Sequence, residues 1–174
     1  MEIPFVAGRE RYAKVSGRYT WPVRSGYPVE CNTMIYGIGV DLVNITRMRR
    51  AIDRWGNRFI GRIFTPREID FCTQSQRSVS RFALRFAAKE AFSKALGLGM
   101  RRGIRWRDIE VFHHPSGRPD LAIAGKALLF CHKEGISRWH ITLSDEDGYG
   151  IAVVVLEKHI SEDVTQEGKK EPSG

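Results

Sequence analysis

Between residues 35 and 43 the chain alternates with a period of two. Tyr36, Ile38, Val40 and Leu42 fall on one face, and Gly37, Gly39 and Asp41 on the other, which predicts a strand. The glycine face leaves room for a neighbouring backbone to approach, and Asp41, of a residue type disfavoured in strands, shares that face. A helical pattern follows. Asn44 or Thr46 caps a helix running through Arg54, with Ile45, Met48, Ala51, Ile52 and Trp55 as its apolar side. Gly56 breaks it, and a short turn of structure spans 58–64. Thr65-Pro66-Arg67-Glu68 supplies a cap, a first-position proline and a third-position acid, predicting a second helix to about Cys72. The longest helical pattern is 81–97, RFALRFAAKEAFSKALG, stopped by Gly97 and preceded by Ser78 and Ser80 as candidate caps. Steps of four put Phe82, Phe86, Glu90 and Lys94 in one file and Ala83, Ala87, Ala91 and Ala95 in the next. The alanines let this helix lie close to another backbone.

Short strands are predicted over 109–112 and 121–123 with a turn at 113–118, then a helix over 126–134 ended by Gly135. Residues 139–143 and 149–157 read as strands joined by a hairpin turn at 145–148. Helices in the first half and hairpins in the second predict an α+β fold, a small and mostly antiparallel sheet packed against one long helix plus shorter helices. Residues 1–33 mix Arg, Gly, Pro, Tyr and Trp without a clear period. They read as an N-terminal extension or leader, either poorly structured or supplying a strand through Tyr12, Tyr19, Trp21 and Val23. The domain spans 34–157, and 158–174 form a polar tail.

Composition narrows the setting. Three widely spaced cysteines, Cys31, Cys72 and Cys131, with no CxxC pair, argue against a disulfide framework and fit a reducing compartment. No apolar run reaches membrane-span length and no signal-peptide core opens the chain, so a cytoplasmic protein is expected. The net charge of +8 is concentrated, because 34–157 holds twenty Lys/Arg against thirteen acids. Arg47, Arg49, Arg50, Arg54, Arg58 and Arg62 face only Asp53. Such a surface attracts an anionic partner, be it nucleic acid, membrane, nucleotide-like cofactor or acidic protein. The glycine pattern at Gly37, Gly39 and Leu42 lacks the last glycine and the βαβ rhythm of a dinucleotide site. His113 and His114, with His132 or Cys131, match no common zinc spacing. Glu90 and Lys94 are also spaced as an ordinary surface ion pair.

GIGVDLV at 37–43, FTPRE at 64–68, RFAAKEAFSKALG at 85–97 and WHITLSDEDGYGIAVVV at 139–155 together resemble the holo-acyl-carrier-protein synthase family, over residues 34–157. The resemblance implies transfer of the 4′-phosphopantetheine arm from coenzyme A to a serine of an apo-acyl carrier protein, releasing adenosine 3′,5′-bisphosphate. It also implies a magnesium ion and a homotrimer with active sites between subunits. By the same resemblance Asp41 and Glu90 hold the metal, Lys94 reaches a phosphate and His140 lies near the cofactor phosphates. Gly97 and Gly99 belong to a loop whose N–H groups line those phosphates. Arg47, extended by Arg50 and Arg54, and Phe86 meet the acidic carrier protein. These assignments suit the chemistry, since a pyrophosphate attacked by a hydroxyl needs its oxygens neutralised by a hard cation on carboxylates. The residues alone allow plainer roles: a helix C-cap at Gly97, a core aromatic at Phe86, a half-buried strand histidine at His140. The chain departs from the family's commonest pattern at Asp145, where many members have histidine. A basic nucleic-acid-binding module leaves Asp41 and Glu90 unexplained, and an inactive scaffold sits poorly with intact Asp41, Glu90 and Lys94. Neither nucleic acid nor membrane is expected as a partner.

Overall fold

The computed structural model describes residues 13–15, 18–20, 33–100 and 103–159. The chain divides into two units, 1–32 and 33–174. In the first, β1 (Ala13–Val15) and β2 (Arg18–Thr20) pair antiparallel, so part of this segment is strand. Tyr12, Trp21 and Val23, named above for that strand, lie outside the described residues, as do 101–102 and 160–174.

The second unit begins with β3 (Thr33–Asn44) and continues into α1 (Ile45–Ile63), α2 (Pro66–Thr73) and α3 (Ser78–Ala95). A 3-10 turn (Trp106–Asp108) then leads to β4 (Ile109–His113), β5 (Pro119–Ile123), α4 (Gly125–Lys133), β6 (Ile136–Glu146) and β7 (Tyr149–His159). The main sheet has the order β3-β7-β6, antiparallel throughout, and β4 and β5 form a separate two-stranded sheet. The expected α+β architecture is thus present, with α3 lying against the sheet and shorter helices beside it.

What seats α3 is the glycine face of β3. A Cβ built on Gly37 or Gly39 collides with the main-chain carbonyls of Ala95 and Ala91. Only glycine on the strand and alanine on the helix allow so close an approach. Partners across the sheet share this inner face: Ala152 opposite Asp41, Val154 opposite Gly39 and Leu156 opposite Gly37. These three are fully buried, as are Ala87, Ala91 and Phe92 of α3. A second cluster gathers Phe64, Phe82, Ala83, Met48, Ile63 and Cys72, where α1 and α2 cover the first half of α3.

Several expectations need correcting. Tyr36 does not share a face with Ile38, Val40 and Leu42, because a bulge between Ile35 and Gly37 turns it to pack against the core. Ile38, Val40 and Leu42 are 62%, 50% and 61% exposed. The alternation separates two faces, yet the one that becomes interior is the one a helix backbone can reach. Neither Ser78 nor Ser80 caps α3. The cap position is Arg77, without a side-chain bond to the helix, and both serines lie inside it. Asn44, not Thr46, caps α1, its Oδ1 accepting from the Arg47 N–H at 2.9 Å. Helical structure then extends through 58–63, beyond a bend at Gly56 (φ 51°, ψ −139°). Trp55, expected on the buried side, is 52% exposed. Thr65 and Glu68 form the predicted capping box, worth about 1 kcal/mol. The hairpin turn is tighter than 145–148: Glu146 pairs with Tyr149, leaving Asp147 and Gly148 with φ of 44° and 78°, the signature of a type I′ turn. Lys158 and His159, assigned to the tail, belong to β7 because they pair with Met34 and Thr33.

Candidate active site

Strand and helix meet so that Asp41 and Glu90 line one cleft of about 380 Å³ together with Arg47, Met48, Phe59 and Phe86. Asp41 arrives at the end of the glycine face, and Glu90 precedes by one position the Ala91 that rests on Gly39. Lys94, one turn on, donates to Asp41 Oδ1 at 2.8 Å and to the carbonyl of Val40 at 3.0 Å. The Glu90-to-Lys94 surface pair is therefore not what forms. The Glu90 carboxylate accepts no hydrogen bond among the described residues. Burial raises its proton affinity above the ordinary carboxylate range, the Asp41 carboxylate adds to this, and Lys94 opposes it. Two carboxylates thus share a cleft that Arg47 also lines, with the Lys94 ammonium held on one of them.

The other expected site residues are distributed as follows. Phe86 is half-buried and stacks on Trp106 at 4.9 Å between centroids, so it is both a packed ring and a wall of the cleft. Arg47, Arg50 and Arg54 are exposed on α1; Arg47 lines the cleft and Arg54 stands over the Trp55 ring. Gly97 and Gly99 take φ of 71° and 62° with open space where side chains would stand. The loop's N–H groups turn back on α3: Gly97 bonds the Lys94 carbonyl, and Leu98 and Gly99 bond that of Ser93. As the loop stands these amides cap the helix rather than line a phosphate site. His140 pairs in the sheet with Val155, which stands opposite Ile38, so it lies on the outer face while Asp41 lies on the inner one. Its Nε2 is 3.1 Å from Glu157 Oε1. One chain does not bring His140 to Asp41 and Glu90.

The histidine pair 113–114 is engaged with other side chains. His113 stacks on Phe71, His114 pairs with Asp120 at 2.9 Å, and burial pushes the Cys131 thiol up to about 11. No group of three or more potential ligands gathers among the described residues.

Two features escaped the sequence reading. The first is a second cleft of about 340 Å³ beside the early turns of α3, where Arg77, Arg81 and Arg85 converge with His113. Arg85 is 1% exposed and its Nε finds no partner. Burial lowers the proton affinity of His113, and Arg85 and Arg81 add to the effect. Asp145 closes one side by pairing with Arg77 at 2.5 Å. The spacing of the three arginines by four was the available signal. The second feature is a wholly buried ion pair, Lys89 with Glu68, of which only a capping acid and a helix lysine were legible beforehand.

Comparison with known proteins bears on the family of the chain. A model of the 4′-phosphopantetheinyl transferase superfamily matches residues 37–154. A holo-acyl-carrier-protein synthase of Koribacter versatilis (strain Ellin345) is 47% identical over 124 residues, covering 71% of this chain and 99% of the relative. The crystal structure of the enzyme of that name from Neisseria meningitidis matches with a TM-score of 0.68 at 41% identity, over 72% of this chain and 100% of that one. The Helicobacter pylori structure, solved in complex with coenzyme A, matches at 0.61 and 31% identity, over 68% of this chain and 98% of that one. The chain belongs to the 4′-phosphopantetheinyl transferase superfamily, within its holo-acyl-carrier-protein synthase family.

Proposed function

We propose that this chain transfers the 4′-phosphopantetheine arm of coenzyme A to a serine of an apo-acyl carrier protein, giving holo-carrier protein and adenosine 3′,5′-bisphosphate. The observation that carries the reading is the meeting of Asp41 and Glu90 in one cleft, with Lys94 held on Asp41, in a chain whose relatives bear that enzyme's name. A magnesium ion fits the donor set: two carboxylates on a helix and a strand, one of them without a hydrogen bond among the described residues. Bound there, it supplies the positive charge that a pyrophosphate needs in order to react.

The residues of the chain divide the remaining work. Lys94, held on Asp41, presents an ammonium for a phosphate oxygen. Glu90 takes the proton of the attacking serine through a water. The serine oxygen bonds to phosphorus as the bond to the nucleotide oxygen breaks, and positioning and charge rather than covalent catalysis lower the barrier. The arginine cleft with its unpartnered Arg85 Nε suits the phosphorylated end of coenzyme A. Gly97 and Gly99 leave open space beside the co-substrate. On the carrier-protein side, Arg47, Arg50, Arg54 and Phe86 form the docking face. The transferase domain runs from β3 to β7, residues 33–159, with the residues on either side added to it; relatives matched over 99% of their length correspond to 71% of this chain. Buried, free Cys72 and Cys131 support a cytoplasmic setting, and no helix among the described residues is long and apolar enough to cross a membrane.

The decisive assay is mass spectrometry of an apo-carrier protein incubated with this chain, coenzyme A and magnesium. A gain equal to the phosphopantetheine arm is expected; no gain overturns the reading. In the same assay Arg47→Glu, or added salt, is expected to raise the carrier-protein KM roughly tenfold while that for coenzyme A stays within about twofold. A salt-independent carrier KM removes electrostatic docking.

The reading includes a trimer. The outer face of the sheet exposes Ile38, Val40, Leu42 and Ile151 in a row, an apolar strip of the kind that marks an interface. A copy of the chain covering it brings His140, on that same face, towards a neighbour's site. Sedimentation equilibrium is expected to give three times the mass of the chain, and a monomer at micromolar concentration contradicts it.

A further inference from the structure

Lys89 and Glu68 are joined at 2.7 Å with both side chains wholly out of water. Exchanging such a pair for apolar residues of similar volume usually leaves stability unchanged or higher, so stabilisation alone does not account for it. The geometry offers another role. The Lys89 ammonium donates to Glu68 Oε2, to the Trp106 carbonyl at 3.0 Å and to the Ile109 carbonyl. Glu68 in turn accepts from the Thr65 N–H and the Val111 N–H, each at 2.9 Å. One pair therefore ties the start of α2, the middle of α3 and the stretch from Trp106 to Val111.

Both ends of that tie reach the cleft. Lys89 directly precedes Glu90 on α3. Trp106, whose carbonyl Lys89 holds, is the ring on which Phe86 stacks, and Phe86 and Glu90 line the same cavity as Asp41. The contact of Gly37 and Gly39 with α3 fixes how near the helix lies to the strand. The buried pair, gripping a third side of the helix, fixes how far it is turned about its axis.

We infer that Lys89 and Glu68 are positioning residues for the transfer: they set the rotation of α3 and the seat of Trp106, so that Glu90 faces Asp41 across the cleft. This rests on the reading of Asp41 and Glu90 as the reacting centre. A displacement of about 1 Å at such a centre costs roughly 10²-fold in rate.

The test is the double variant Glu68→Leu/Lys89→Met, in which no buried charge is left unpaired, compared with the wild type in three measurements. Its melting temperature is expected near that of the wild type, and its carrier-protein KM within about twofold. Its kcat is expected to fall by roughly 10²-fold, and its affinity for Mn²⁺, measured by calorimetry in the presence of coenzyme A, by about tenfold. A merely structural role moves only the first of these, so wild-type kcat and Mn²⁺ affinity in a stable double variant overturn the inference. Should the double variant not fold, Glu68→Gln/Lys89→Met carries the same comparison, since it leaves no buried charge and keeps one acceptor oxygen for the N–H groups that Glu68 holds. Asp41→Asn separates the two layers of the argument. Unchanged Mn²⁺ affinity in that variant refutes the site itself, whereas its loss, with unchanged values in the double variant, refutes only the positioning pair.

Discussion

Glu90→Gln is expected to lower phosphopantetheine transfer by at least roughly 10³-fold, because it removes a charge-stabilising group and a proton acceptor together. The amide has nearly the same shape, so the fold should not be the cause, and the stability measurement checks this with a definite sign. Burial, and then the Asp41 carboxylate, raise the proton affinity of Glu90 in the folded chain. An acid whose folded pKa lies above its unfolded one contributes stability below the unfolded pKa, and loses that contribution as pH rises through the folded value. At neutral pH without metal, ionised Glu90 therefore works against the fold. Glu90→Gln is expected to melt at the same or a higher temperature than the wild type at pH 7, with the difference shrinking as pH falls into the carboxylate range. A loss of activity accompanied by a marked loss of stability at pH 7 contradicts this account, and a fully active variant refutes both roles given to Glu90.

The second large effect lies in the backbone. Gly39→Ala puts a methyl group into the carbonyl of Ala91 and within 2.7 Å of the Ala95 nitrogen. Both obstacles are main-chain atoms of α3, so no side chain is able to swing aside. The helix must withdraw, and the layer made by Ala87, Ala91 and Phe92 against Ala152, Val154 and Leu156 opens with it. Overpacking usually costs 1–3 kcal/mol, and a rigid contact of this kind belongs at or above the top of that range. A fall of about 10 °C in melting temperature is expected, with loss of activity because Asp41 and Glu90 separate. Gly61→Ala is the matched control: it stands in α1 with nothing near its Cβ position, and alanine there is expected to be neutral or stabilising by up to about 1 kcal/mol. A Gly39→Ala chain that melts with the wild type would falsify the close contact.

The parts of this structure that were legible in the sequence are those in which local chemistry has one solution. Thr65, Pro66 and Glu68 spell out a helix start on their own, and an alanine file at intervals of four beside a glycine-faced strand already described the packing of α3. The acids at 41 and 90 were paired by the family resemblance. What remained hidden depends on distant neighbours. Period-two alternation in β3 does not say which face is interior, and Ile38, Val40 and Leu42, apolar by composition, are on the outside because α3 occupies the other side. The bulge that turns Tyr36 inwards is set by pairing with β7. Lys89 and Arg85 look like solvated helix residues, yet α2 and the strands beyond Trp106 close over them. Arg77, without a capping side chain, holds the position for which Ser78 and Ser80 were the obvious choices, since Ser75 Oγ already accepts from its N–H at 3.1 Å.

The bend at Gly56 has a consequence for molecular recognition. A straight rod of 19 residues would lay out its guanidinium groups along one continuous spiral. With a break in the middle, Arg47, Arg50 and Arg54 belong to one axis and Arg58 and Arg62 to another. A visitor is thus met by two short cationic edges set at an angle, which favours an acidic partner with a curved outline over a flat or extended polyanion.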